Sequence, residues 1–339
     1  MSGVSRASGP RLTLAIRPTD CANLPGNAAY RYGRLWMTAE LGGKRGLLEI
    51  PFGTVVGGDF MIVRPLSRGS MGALYVAEQL STASHRALKI LRHEYVSDQT
   101  LFKRFEREAQ MAAKIPSEHV VQIIASGVDE KLQIPWIAME LLQGQHLGDH
   151  VEEHGPMPKE VVRQIFEQLC HALAAAHKLG IVHRDLKPAN IVLSEARRVG
   201  AAKMVKVLDF GVARIMAESL TVMGSPLGTP NWMSPEQTRG EPATTATDVW
   251  ALGLLAFYML TGRLFWRSCL KPDSELGVMK EIADEAIPIA SMRALELGAG
   301  ERIPKGFNEW FAQCMARSPN ERFVGASAAY AALAHTLRP

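Results

Sequence analysis

The chain has 339 residues, 47% of them apolar and 21% charged, with a net charge of +4, a composition that suits one or two globular domains with ample material for a core. The first 58 residues carry seven Lys/Arg against three Asp/Glu and so hold the whole of that charge, while the other 281 residues hold 31 of each sign. The main body therefore lacks the electrostatic footprint of a nucleic-acid or anionic-membrane binder. Cys21, Cys170, Cys269 and Cys314 form no C-x-x-C pair, which argues against a zinc or redox motif and fits a reducing compartment.

The opening "MSGVSRASGPRLTLAIRP" has arginines where the apolar core of a secretory leader should lie, so a cytoplasmic chain is expected. Residues 1–58 read as a partly ordered extension without sustained periodicity, in which "RLTLAI" and "LLEI" fit strand and coil equally. From residue 59 the pattern sharpens. "FMIVRPL", "ALYVAEQL" and "HRALKIL" are short apolar or alternating runs separated by turn residues, as in successive antiparallel strands. "SDQTLFKRFEREAQMAAKI" predicts a helix capped by Ser97, with Leu101, Phe105, Ala112 and Ile115 on one face. Glu108 falls on that same face, where an unpaired carboxylate is costly. "HVVQIIASGV" and "PWIAMELL" predict two further strands.

"PKEVVRQIFEQLCHALAAAHKLG" predicts a long helix with Pro158 at its first turn, a face of Val162, Ile165, Phe166, Leu169 and Leu173, and a stop at Gly180. "VWALGLLAFYML", Val249 to Leu260, is apolar all round but too short for a bilayer of about 30 Å, so a buried core helix is expected. The predicted class is α+β: a small β-rich lobe (about 59–142) and a larger α-rich lobe (about 143–338) with a cleft between them.

Several polar residues sit where the pattern calls for apolar ones. "LSRGSMGALYVA" joins two strands, and its Gly69 and Gly72 serve equally as an ordinary turn or as a place where backbone amides approach an anion. Lys89, inside the apolar run "RALKIL", either points to the solvated face or pairs with Glu108 and holds phosphate oxygens. "IVHRDLKPANIVL" sets His183, Arg184, Asp185, Lys187 and Asn190 between two buried runs. Asp185 suits proton acceptance from a hydroxyl, Lys187 suits a transferring phosphoryl group, and Asn190 offers a neutral oxygen to a hard cation. "VKVLDFGVAR" ends a strand at Asp209, followed by Phe210 and Gly211, a natural hard-metal carboxylate.

The order of these motifs, with "GTPNWMSPE" and "TDVWALG" after them, resembles the protein kinases, specifically the eukaryotic-like (Hanks-type) serine/threonine kinases of bacteria, over roughly residues 60–337. The resemblance implies a bilobal fold and transfer of the ATP γ-phosphate to protein Ser/Thr hydroxyls with Mg2+ as cofactor. It implies that Leu66, Ser67, Gly69, Gly72 and Leu74 cover the nucleotide and that Lys89, held by Glu108, grips its phosphates. Met139 gates the back pocket, and Glu140 to Leu142 form the hinge that meets adenine. Asp185 becomes the base, Lys187 a γ-phosphoryl contact, and Asn190 and Asp209 the metal ligands.

Arg184 is similar to the arginine of kinases whose activation loop is ordered by phosphorylation. That loop would run from Asp209 to Glu236, with Thr221 and Ser225 as autophosphorylation candidates and Thr229 beside Asp185. Glu236 would pair with Arg322, and Asp248 would anchor the catalytic-loop backbone. Ser67 departs from the usual first glycine, "SPE" replaces "APE", "SEARRVGAAKM" reads as a solvated hairpin tip, and the stretch 267–304 matches the family only loosely. Protein substrates and self-association for autophosphorylation are the expected partners, without nucleic acid or membrane. A scaffold lacking activity and a small-molecule phosphotransferase are the rival readings.

Overall fold

A computed structural model describes residues 50–69, 72–91, 107, 109–194, 203–210, 230–270 and 275–338. Glu108, Gly211, Thr221, Ser225 and Thr229 lie outside them, as do Ser97, Leu101 and Phe105 of the predicted helix, "RLTLAI" and most of "LLEI". The small lobe is a six-stranded antiparallel sheet in the order β1-β2-β3-β4-β6-β5. Its strands are β1 (Val55–Val56), β2 (Phe60–Gly69), β3 (Gly72–Gln79), β4 (Ser84–Leu91), β5 (Ile123–Asp129) and β6 (Ile134–Glu140).

Alternation sorts the side chains of these strands onto two faces. Ile62, Tyr75, Ala77, Leu88, Ile90, Trp136 and Ala138 fill one core, while Ala87, Leu91, Ile137 and Met139 pack with Ala109 and Val121 on the other. Lys89, between Leu88 and Ile90, therefore points with Ala87 and Leu91 toward the second core rather than toward solvent. Residues 50–58 correct the boundary expected at 58/59. Ile50 and Val56 are buried in the small-lobe core, β1 pairs with β2, and the Gly57 amide donates to Asp129 at 2.8 Å. The two-residue strand is too short to show alternation, which hid it in the sequence.

The large lobe begins with β7 (Gly144–His146), which joins β8 (Ile191–Ser194) and β9 (Met204–Val207) in a small antiparallel sheet. Ser194 pairs with Met204, so β8 and β9 are antiparallel neighbours, while residues 195–202 of "SEARRVGAAKM" lie outside the described residues. The helices are α1 (Leu147–His154), α2 (Lys159–Lys178), α3 (Pro235–Thr238), α4 (Thr245–Thr261), α5 (Glu275–Ala283), α6 (Ala290–Glu296), α7 (Phe307–Cys314) and α8 (Ala326–Thr336). Pro158 is the N-cap of α2, one position earlier than expected, and Gly180 follows its end with φ +72°.

Every residue of α4 from Ala246 on is buried. It runs through the middle of the lobe against α2, α7 and α8, which explains its lack of a polar face. Trp250, Phe257, Phe166, Phe307 and Phe311 are each at most 1% exposed, and full burial of such a side chain is worth roughly 1.5–3 kcal/mol. This packed lobe carries the loop 181–190 on one side. Among the described residues no helix is long and apolar enough to cross a membrane.

Candidate active site

Two β-strands and one loop converge on the polar residues. Lys89, in the second half of β4, reaches Asp209 beyond the end of β9, Nζ to Oδ1 at 2.7 Å. Their side chains are only 13% and 27% exposed. Burial pushes the Asp209 carboxyl up, but the Lys89 ammonium, helped by His183 and Lys187, outweighs it and holds the group below the usual carboxylate range. Asp209 is thus an anion at neutral pH. The expected partner of Lys89, Glu108, lies outside the described residues.

The second cluster is local to the loop. Lys187 Nζ meets Asp185 Oδ2 at 2.8 Å. Asn190 Nδ2 donates both to the Asp185 backbone carbonyl (2.7 Å) and to its Oδ2 (3.0 Å). These two bonds occupy the amide's hydrogens, leaving the Asn190 Oδ1 as its acceptor. The clusters are tied together through Leu208. Its N–H donates to the Asn190 carbonyl at 2.9 Å, and its carbonyl lies 2.8 Å from His183 Nε2. The His183 ring, fully buried, also packs edge-on against Phe210 with centroids 4.7 Å apart. Sequence reasoning gave His183 no role, although a histidine between two buried runs was its signal.

Two residues of the site hold left-handed backbone without being glycine: Arg184 at φ +70° and Asp209 at φ +57°. Such conformations cost of order 1–3 kcal/mol each and persist only where surroundings enforce them. For Arg184 the enforcer is Asp248 in the first turn of α4. Its carboxylate accepts the N–H of His183 and of Arg184, both at 2.9 Å, and lies 2.7 Å from His177 Nε2. Gln237 adds a hydrogen bond to the Arg184 carbonyl at 2.7 Å. His177 and Gln237 were missed in the sequence because each sits on a helix with nothing local to distinguish it.

Glu236 and Arg322 form a bidentate pair, both contacts 2.8 Å, with side chains 3% and 0% exposed. Thr247 Oγ1 donates to Glu236 at 2.8 Å, and the guanidinium carbon lies 5.0 Å from the centroid of the Trp250 ring. The pair fixes α3 against the lobe core. α3 begins with a capping box between Ser234 and Gln237, so the serine that replaces alanine in "SPE" acts as an N-cap.

The glycine-rich hairpin has two distinct requirements. At Gly72, φ is +152° and a Cβ would stand 2.0 Å from the Ile90 carbonyl oxygen, so only glycine fits, whatever binds there. Ser67 lies in β2 opposite Leu74, outside the left-handed positions, and its backbone does not call for glycine. Leu66 sits at a bulge, between Pro65 and Ser67, which re-aims its side chain. Met139, 8% exposed, lines a small pocket with Ile123, Ile137, Ala112, Phe210 and Asp209. Leu142 follows β6 and is half-buried.

The donor set suits a hard cation and phosphate. The Asp209 anion uses one oxygen for Lys89, and the Asn190 amide oxygen is left for another partner. Among the described residues no group of three or more His, Cys, Asp or Glu converges as a metal cage. A divalent cation shared with phosphates needs only one or two protein oxygens.

Comparison with known proteins agrees with this geometry. The model of the protein kinase domain matches residues 60–336. The serine/threonine-protein kinase Pkn1 of Myxococcus xanthus is 42% identical over 209 residues, covering 61% of this chain and 29% of that protein. PrkC of Bacillus subtilis is 37% identical over 214 residues, 62% of this chain and 32% of its own length. The chain thus spans about a third or less of these relatives. The solved Mycobacterium tuberculosis PknI kinase domain shares the fold, with a TM-score of 0.64 over 85% of this chain and all of that one, at 23% identity. By this match across four-fifths of its length, the chain belongs to the Hanks-type serine/threonine protein kinases of bacteria.

Proposed function

We propose that this chain is an active protein kinase that moves the ATP γ-phosphate to serine and threonine hydroxyls of proteins, itself included. The observation that carries this reading is the pair of linked clusters, Lys89–Asp209 and Lys187–Asp185–Asn190, each within 2.7–3.0 Å. Nucleotide lies in the cleft, with adenine against the hinge at Glu140–Leu142 behind Met139, and with Leu66, Ser67, Gly69, Gly72 and Leu74 over it. Lys89 turns from Asp209 toward the phosphates, with Glu108 as its second partner. Asp209 and Asn190 would hold Mg2+, which would supply positive charge against the phosphates.

Asp185 orients the substrate hydroxyl and takes its proton. The freed oxygen forms a bond to the γ-phosphorus as the bond to the bridging oxygen breaks, and ADP leaves. Lys187 faces the transferring group. Most of the acceleration comes from positioning and fixed charge rather than covalent chemistry by the protein. Thr221 and Ser225 are the proposed autophosphorylation sites, with Arg184 as the receiving cation, and Thr229 contacts Asp185. Self-association in the cytoplasm would serve that step.

The test is transfer from γ-labelled ATP to a generic protein acceptor, followed by phosphoamino-acid analysis. Label in phosphoserine and phosphothreonine is expected. Label confined to phosphotyrosine, or label on a small-molecule acceptor in place of protein, contradicts the reading.

A further inference from the structure

Lys206 is a charged residue in the short strand β9, three positions before Asp209. It is 12% exposed, and its Nζ lies 2.6 Å from Glu140 Oε1. Glu140, 22% exposed, closes β6 and opens the hinge. Its Oε1 also accepts the Gln122 N–H at 2.9 Å, while its own N–H donates to the Gln122 carbonyl at 2.9 Å. The backbone reinforces this joint, since Val121 N–H donates to the Val207 carbonyl and Val207 N–H to the His119 carbonyl, at 3.0 and 2.8 Å. Three segments therefore meet at one half-buried carboxylate: the lead-in to β5, the start of the hinge, and β9.

Downstream, β9 is locked to the site, because Leu208 bonds Asn190 and His183. One side chain thus connects the hinge with the strand that leads to Asp209. We propose that Lys206 is a positioning residue, whose ion pair with Glu140 fixes the hinge relative to Asp209 and so sets how tightly the cleft holds nucleotide. The inference rests on the kinase reading of the cleft and adds a residue to it. A nucleotide spanning the hinge and Asp209 binds best when both ends are held in register. Without the Lys206 charge, the low-exposure Glu140 carboxylate turns toward water and takes the hinge backbone with it.

The test measures dissociation of a fluorescent ATP analogue with Mg2+, beside kcat at saturating ATP, for Lys206→Met, Lys206→Arg, Glu140→Gln and the Met/Gln double variant. Lys206→Met should weaken nucleotide binding about tenfold, about 1.4 kcal/mol, with kcat within about twofold. Lys206→Arg, which keeps the charge, should stay near wild type. Glu140→Gln, whose amide oxygen still accepts from Gln122, should fall between, and the double variant should be no worse than Lys206→Met, as expected for coupled partners. Thermal unfolding of each variant without nucleotide reports whether it folds. Wild-type affinity in folded Lys206→Met, or additive losses in the double variant, overturns the proposal. Absence of Mg-nucleotide binding by the wild type would instead overturn the kinase reading.

Discussion

Arg322→Met removes the cation from a pair whose two side chains are at most 3% exposed. The guanidinium makes two 2.8 Å contacts to Glu236 and also donates to the carbonyls of Ala246, Ala316 and Arg317. Methionine retains the packing on Trp250 but leaves the Glu236 carboxylate with Thr247 as its side-chain donor. Breaking a buried pair in this way costs about 3–5 kcal/mol, a large share of the roughly 5–15 kcal/mol that holds a domain folded. At roughly 2–4 °C per kcal/mol for a domain of this size, Tm should fall by about 6–20 °C. Urea unfolding followed by far-UV circular dichroism gives the free energy directly.

The double variant Arg322→Met/Glu236→Gln should be less destabilised than Arg322→Met alone, because no buried charge is left without its partner. Burial raises the Glu236 pKa, but the hydrogen bonds and charge of Arg322 outweigh it and hold the folded value below the ordinary 4.5. Its contribution is therefore complete above pH 4.5 and disappears as pH falls through the folded value. Glu236→Gln should flatten that acid limb. A loss under about 1 kcal/mol for Arg322→Met, set against the 3–5 expected, would refute the reasoning. So would a double variant that loses the sum of both singles.

Three further perturbations separate chemistry from architecture. Asp185→Asn should lower kcat by about 10²–10⁴-fold, the usual worth of a general base, while Mg-ATP still stabilises the variant in a thermal-shift assay; loss of both together would point to misfolding. Asp248→Ala should leave the His183 and Arg184 amides without their acceptor at a cost of about 1–3 kcal/mol for each amide, and should slow turnover through the released loop. Equal stability and rate would show that the left-handed Arg184 needs no such support. Gly72→Ala drives a Cβ to 2.0 Å from the Ile90 oxygen and should destabilise the small lobe by roughly 1–3 kcal/mol, read by amide exchange in β3 and β4. An unchanged exchange pattern there would show that the strands part easily.

Much of this was legible in the sequence, for reasons that differ by element. The small-lobe strands β2 to β4 announced themselves by short alternating runs, and α4 by an apolar stretch with no polar face, since it is buried all round. The residues of the two clusters were legible because acids, cations and amides rarely stand between buried runs unless they act together. What escaped is long-range or positional. Lys206 and Glu140 are 66 residues apart, and neither is anomalous alone on a half-exposed strand edge. His177 gains its meaning only when α4 brings Asp248 beside it. Lys89 was ambiguous until the register, opposite Leu74 and Ile137, put it on the inner face. The stretch 267–304 resisted reading because its helices α5 and α6 are short and partly exposed, with Leu276, Met292 and Leu295 facing outward. Its anchor is Glu281, which accepts the amides of Arg267 and Ser268.

The most direct test of the account is intact-mass analysis of phosphatase-treated protein before and after incubation with Mg-ATP, beside Asp185→Asn. The account predicts that the wild type alone gains whole phosphates, mapping to serine and threonine, Thr221 and Ser225 foremost. No gain by a wild type that binds Mg-ATP and is offered protein acceptors, or an equal gain by Asp185→Asn, would contradict it.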